Sequence, residues 1–74
     1  MRQKVLEIIN SIRTSKNLPA LDALKDSDTL LFDMQLTSFD LAELTVKLED
    51  EYGVDIFEDG LVNTVGEIYA KLSE

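Results

Sequence analysis

The chain has 74 residues, of which 45% are hydrophobic and 30% charged, and its formal net charge is −8. A chain of this length predicts one small domain, and a large internal active-site cleft is not expected. Because the chain has neither Cys nor His, disulfides, thiolate metal sites and histidine-based triads are excluded. We therefore expect no catalytic residue and no metal ligand, and we do not expect an enzyme.

Charge is distributed unevenly along the chain. Residues 1–20 have a net charge of +3, whereas residues 21–74 have a net charge of −11. Such an acidic segment repels nucleic acid and anionic lipid and attracts basic protein surfaces. No apolar run is long enough to span a membrane, and Glu7 interrupts the only apolar run that could begin a signal peptide. We expect a cytoplasmic protein that binds neither nucleic acid nor membranes.

The first predicted element is an amphipathic helix over residues 2–15. Its apolar side chains recur with helical spacing at Val5, Ile8, Ile9 and Ile12. Asn17 and Pro19 end this helix, because proline cannot continue the hydrogen-bond ladder and restricts the residue before it. Residues 17–36 are predicted to form a long loop attached to the core by leucines, with a short helical turn over 20–24 and a turn over 26–28.

A second helix is predicted from Ser38 to Tyr52 and ends at Gly53. Thr37 or Ser38 can cap its first amides, and acidic residues in its first turns suit the positive end of the helix dipole. Its core stripe is predicted to consist of Leu41, Leu44, Thr45, Leu48 and Tyr52. A second apolar stripe with helical spacing, on a different face, consists of Phe39, Ala42 and Val46. This second stripe belongs either to the core or to a surface that binds partners.

The last part of the chain predicts an extended segment over 54–57 and then one clear helix. Residues 58–63 can form at most a short helix, because Gly60 weakens it. Thr64 and Glu67 have the spacing of a capping box and open a last helix that ends at Leu72. The predicted fold class is all-α, an irregular bundle of three main helices plus one short helix, with a long loop after helix 1.

Three segments together resemble the acyl and peptidyl carrier protein family. The family signature of an acidic residue, an apolar residue, Gly, an apolar residue and then Asp-Ser-Leu resembles Asp33-Met34-Gln35-Leu36-Thr37-Ser38-Phe39-Asp40-Leu41-Ala42-Glu43-Leu44. The family's Leu-Glu-Glu-x-Phe-Gly-x-x-Ile resembles Leu48-Glu49-Asp50-Glu51-Tyr52-Gly53-Val54-Asp55-Ile56. Its Thr-Val-Gly-Asp-x-Val resembles Thr64-Val65-Gly66-Glu67-Ile68. The three segments follow the family's order and span most of the chain.

The resemblance implies that residues 1–74 form a single carrier domain and that the chain is a monomer. It implies that the hydroxyl of Ser38 receives 4′-phosphopantetheine from coenzyme A under a magnesium-dependent phosphopantetheinyl transferase. The thiol of this arm would hold acyl groups as thioesters. Further implied partners are an acyl- or aminoacyl-loading ligase and downstream biosynthetic enzymes with basic docking patches. The implied partner-docking residues are the apolar Phe39, Ala42 and Val46 and the acidic Asp40, Glu43, Glu49 and Asp50.

Three residues depart from the family pattern, because Gln35 replaces Gly, Thr37 replaces Asp and Phe39 replaces Leu or Met. These departures favour a specialised carrier of the polyketide or peptide type over a housekeeping carrier of fatty acid biosynthesis. The cargo stays open between acyl and aminoacyl groups. In an alternative hypothesis Ser38 serves only as a helix cap, and the chain is an unmodified acidic helical protein–protein interaction module.

Overall fold

The computed structural model describes residues 1–73 and contains three α-helices in that range. They are α1 (Arg2–Ser15), α2 (Ser38–Tyr52) and α3 (Val65–Leu72). The predicted all-α class and the long loop after the first helix are confirmed. No helix in the described part of the chain is long and apolar enough to cross a membrane.

Helix α1 ends with hydrogen bonds that its sequence makes possible. The amide of Leu18 donates to the carbonyl of Arg13 at 2.9 Å, and the amide of Asn17 donates to that of Thr14 at 3.0 Å. Asn17 has φ 65°, a left-handed conformation that asparagine tolerates better than most residues. This arrangement satisfies the carbonyls of Arg13 and Thr14 and leads the chain into the loop that Pro19 then continues.

The core brings together all three helices and the long loop. Its buried apolar residues are Val5, Ile9, Ile12, Leu30, Met34, Leu36, Leu44, Leu48, Ile56, Val62, Val65, Ile68 and Tyr69. The loop also bonds to the segment that precedes α3, because the amide of Leu30 donates to the carbonyl of Asn63 at 2.9 Å. An antiparallel bridge joins Thr29 and Thr64 next to it. The loop is therefore fixed at Thr29 and Leu30, several residues before α2 begins.

The helical turn predicted over residues 20–24 does not form. Asn10 on α1 binds both backbone groups of Leu21, donating from Nδ2 to its carbonyl at 2.9 Å and accepting from its amide at 2.8 Å. Because the side chain of Asn10 satisfies these groups, the segment can stay irregular without leaving them unpaired.

The short helix predicted over residues 58–63 is also absent, and turns occupy residues 56–59. The amide of Glu58 donates to the carbonyl of Asp55 and the amide of Gly60 to that of Phe57, both at 3.2 Å, and such bonds between residues three apart close turns. Gly60 follows with φ 134°, a conformation incompatible with a right-handed helix. The extended segment predicted over 54–57 is correspondingly shorter, because the turns begin at Ile56.

Candidate functional site

Ser38 is the first residue of α2 and is exposed to solvent. The preceding residue, Thr37, is the N-cap, so the loop places the serine where the helix begins. The Ser38 hydroxyl forms no hydrogen bond within residues 1–73, and no side chain there acts on it as a base. The hydroxyl is therefore accessible to an external enzyme that supplies its own base.

A capping box organises the start of α2. Thr37 Oγ1 accepts from the amide of Asp40 at 3.1 Å, and Asp40 Oδ2 accepts from the amide of Thr37 at 2.9 Å. Within the described part of the chain the amides of Ser38 and Phe39 have no hydrogen-bond partner. Free amides at a helix N-terminus stabilise a bound phosphate through hydrogen bonds and the helix dipole. The start of α2 thus fits a phosphodiester attached to Ser38.

The first amides of α3, unlike those of α2, all have hydrogen-bond partners. The amide of Val65 donates to the carbonyl of Asp28 at 3.0 Å, and that of Gly66 donates to the carbonyl of Asp26 at 2.9 Å. The amide of Glu67 donates to Thr64 Oγ1 at 3.2 Å. A Cβ on Gly66 would lie 3.0 Å from the Asp26 carbonyl oxygen, which explains why glycine suits this position. The 26–28 turn therefore binds the N-terminal amides of α3, whereas the N-terminal amides of Ser38 and Phe39 in α2 stay accessible to a ligand.

Asp40 is 8% exposed, so it is not part of the exposed acidic rim in which the sequence interpretation placed it. Its Oδ2 accepts from Lys16 Nζ at 2.6 Å. The hydrogen bond from Lys16 and then the bond from the amide of Thr37 lower the pKa of Asp40, against a smaller opposing effect of burial. Asp40 therefore forms its bonds within the protein, to Lys16 and to the amide of Thr37 at the start of α2.

Two basic residues at the C-terminal end of α1 hold the loop before Ser38, Arg13 in the last turn and Lys16 directly after the helix, and sequence reasoning missed both. Lys16 Nζ donates to the carbonyl of Gln35 at 2.7 Å, and Arg13 Nη1 donates to that of Met34 at 2.7 Å. These residues entered the sequence interpretation only as part of the positive charge of residues 1–20. No local sequence signal pairs them with groups so distant in the chain.

The second stripe of α2, Phe39, Ala42 and Val46, lies on the surface. Phe39 is 82% exposed and Val46 is 68% exposed, and Ala42 between them is exposed as well. The core stripe on the other face has Leu44 and Leu48 without exposed surface. Of the two alternatives for the second stripe, the structure selects an exposed apolar surface.

Exposed acidic residues lie close to this stripe in sequence. Glu43, Glu49 and Asp50 are all exposed. Lys47 lies 3.9 Å from Glu43, a pair between exposed side chains that contributes little to stability. An open groove of about 630 Å³ is lined by Thr45, Val46, Lys47, Glu49 and Asp50. The exposed apolar stripe and the exposed acidic side chains thus lie on the same region of α2.

A second exposed apolar group lies outside α2 and was not foreseen from the sequence. Leu31 is 53% exposed, and Phe32 and Leu61 are each 85% exposed. The antiparallel bonds around Leu30 and Asn63 bring these two segments side by side. Within residues 1–73 no group of three or more acidic side chains is arranged to hold a metal ion.

A family model described as a phosphopantetheine attachment site matches residues 7–72. The matched segment includes Ser38, all of α2 and α3, and most of α1. A search of curated proteins finds no significant match, and a search of solved structures finds none either.

Proposed function

The chain belongs to the phosphopantetheine attachment-site family, and we propose that Ser38 is the residue to which its 4′-phosphopantetheine is attached. When bound, this arm supplies a thiol that holds a carried group as a thioester. Members of this family act as carriers with the arm attached covalently. The residues of this chain therefore bind the arm and present it to other proteins.

The observation that carries the proposal is the geometry of Ser38. The hydroxyl is exposed and forms no hydrogen bond within residues 1–73, where the two amides that begin α2 beside it also have no partner. The helical Ser11 and Ser15 differ, because Ser11 Oγ donates to the carbonyl of Ile8 at 2.8 Å and Ser15 Oγ to that of Ile12 at 2.7 Å. Since no side chain within residues 1–73 acts as a base on Ser38, we expect the phosphopantetheinyl transferase to remove its proton.

We propose that the carried groups are acyl or aminoacyl groups passed between separate enzymes of a biosynthetic pathway. The proposed docking surface consists of the apolar Phe39, Ala42 and Val46 with the acidic Glu43, Glu49 and Asp50. Burial of the exposed aromatic ring would supply affinity, and the carboxylates would orient a basic partner surface. Asp40 is removed from this set because it is buried. A monomer in the cytoplasm remains our prediction.

The test of modification is intact mass after incubation with coenzyme A, magnesium and a broad-specificity phosphopantetheinyl transferase. We expect a gain of about 340 Da, the mass of one arm attached to one serine. The gain should vanish in Ser38→Ala and persist in Ser27→Ala, which removes the exposed serine of the 26–28 turn. No gain on folded protein, even with a transferase specific to this chain, would favour the unmodified interaction module.

The class of cargo needs a second experiment. The modified chain would be incubated separately with adenylating enzymes that activate amino acids and with ligases that activate fatty acids. A mass gain equal to one aminoacyl group would identify an aminoacyl carrier. A gain equal to one fatty acyl group would identify an acyl carrier, and we expect the thioester to be released by hydroxylamine in either case.

A further inference from the structure

Lys16 binds the backbone on one side of Ser38 and a side chain on the other. Its Nζ donates to the carbonyl of Gln35 at 2.7 Å and to Asp40 Oδ2 at 2.6 Å. The side chain of Lys16 is 27% exposed and that of Asp40 is 11% exposed. One ammonium group, on the residue that directly follows α1, therefore links the loop before the serine to the first turn of the helix after it.

Gln35 gives this link a specific role, because its backbone is in an unusual conformation. Its φ is 57°, a left-handed value that glycine adopts freely and that glutamine rarely adopts. The conformation persists only if other interactions hold it. The bond from Lys16 reaches the carbonyl of this same residue, and the bond from Arg13 to Met34 holds the preceding one.

The loop must turn at Gln35 for Leu36 to enter the core and Thr37 to cap α2. Leu36 is 2% exposed, and its amide donates to the carbonyl of Leu30 at 3.0 Å. Thr37 completes the capping box with Asp40, the other group that Lys16 binds. The position of the Ser38 hydroxyl thus depends on the turn at Gln35 and on the cap at Asp40, and Lys16 binds both.

We propose that Lys16 is a positioning residue for the modification of Ser38, holding the left-handed Gln35 and the Asp40 cap so that the hydroxyl is presented in one geometry. This inference rests on the proposed function. Lys16 forms no hydrogen bond with the Ser38 hydroxyl, since its two bonds go to Gln35 and Asp40. Its effect on modification is transmitted through Gln35 and Asp40.

The test compares Lys16→Met with Lys25→Met, which removes the same charge from an exposed loop residue. Both variants make the chain more acidic, so neither should bind a basic transferase more weakly, and KM should not rise. Loss of positioning should lower the kcat of the transferase for modification of Ser38 about tenfold in Lys16→Met and leave it unchanged in Lys25→Met. Adding Gln35→Gly to Lys16→Met should restore kcat to within about threefold of the wild type, because glycine adopts the left-handed turn unaided.

A second readout is independent of modification. The three-bond coupling between the amide and α protons of Gln35, measured by NMR, reports φ. We expect it to change in Lys16→Met and to stay at the wild-type value in Lys25→Met, with circular dichroism confirming that both variants are folded.

Equal kcat values for the two folded variants, or a change confined to KM, would overturn the positioning role. If the wild-type chain itself gains no arm, the proposed function fails. The Gln35 coupling then decides separately whether Lys16 holds the turn, and an unchanged coupling in Lys16→Met rejects that as well.

Discussion

Arg13 donates from Nη1 to the carbonyl oxygen of Met34 at 2.7 Å, which joins the last turn of α1 to the loop that leads into Ser38. Its Nε and Nη2 also donate to the carbonyl of Pro19, at 3.2 and 3.0 Å. The residue is 3% exposed, and within residues 1–73 its guanidinium forms no ion pair. Arg13 therefore fastens both ends of the long loop by backbone carbonyls alone.

We predict that Arg13→Met lowers the free energy of unfolding by about 2–3 kcal/mol, because it leaves the carbonyls of Met34 and Pro19 without their donor. Chemical denaturation measures this loss. Arg2→Met is the matched control, since Arg2 lies on the surface with Asp26 at 2.8 Å and a ring contact to Tyr69 at 4.1 Å. The control should lose clearly less, because solvent screens its exposed contacts, and equal losses would contradict the prediction.

A second prediction concerns the pH dependence of Asp40. Its pKa in the folded protein lies below the ordinary value of 3.8, so the unfolded chain binds the proton more readily than the folded chain does. The stabilisation by ionised Asp40 is therefore complete above the ordinary pKa and is lost as pH falls toward the folded pKa.

Asp40→Asn measures this contribution. At pH 7 we expect the wild type to be more stable than the variant by about 1–2 kcal/mol, because the variant loses the ion pair with Lys16 and weakens the cap. The difference should shrink as pH falls below about 4. Denaturation curves for both proteins, measured from pH 7 to below about pH 4, provide the test. A stability difference that does not depend on pH would contradict the prediction.

The exposed stripe of α2 should affect partners and leave stability almost unchanged. Phe39→Ala and Val46→Ala remove side chains that are 82% and 68% exposed, so each should change the free energy of unfolding by less than about 0.5 kcal/mol. Leu44→Ala, on the opposite face of the same helix, should cost about 2–5 kcal/mol. With a loading enzyme, Phe39→Ala should raise KM several-fold, and an unchanged KM would argue against the docking surface.

Gln35→Gly should raise stability by up to about 1 kcal/mol. Glutamine at φ 57° bears a steric cost, and glycine removes it at a smaller cost in chain entropy. The matched substitution Gln3→Gly, within α1, should instead lower stability by up to about 1 kcal/mol. Thermal denaturation of both variants tests the opposite signs, and a loss in Gln35→Gly as large as that in Gln3→Gly would contradict the prediction.

Much of the fold follows from local sequence. The bounds predicted for the first two helices agree with α1 and α2, because apolar periodicity locates each helix and residues such as Asn17 and Gly53 locate its end. The capping pattern of Thr64 and Glu67 likewise locates the start of α3. Prediction was wrong over residues 20–24 and 58–63 for different reasons. The side chain of Asn10 bonds the backbone of Leu21, and Gly60 has φ 134°, which a right-handed helix excludes.

The sequence by itself determined the helices, the position of Ser38 at the start of α2 and the existence of two apolar stripes, since these depend on neighbours within a few residues. Only the tertiary structure decided that Phe39 and Val46 are exposed and that Asp40 is buried. It alone brought Arg13 and Lys16 against the loop before Ser38. Periodicity specifies the faces of a helix, but which face is buried, and which distant carbonyl or carboxylate a cation meets, depends on how the helices pack.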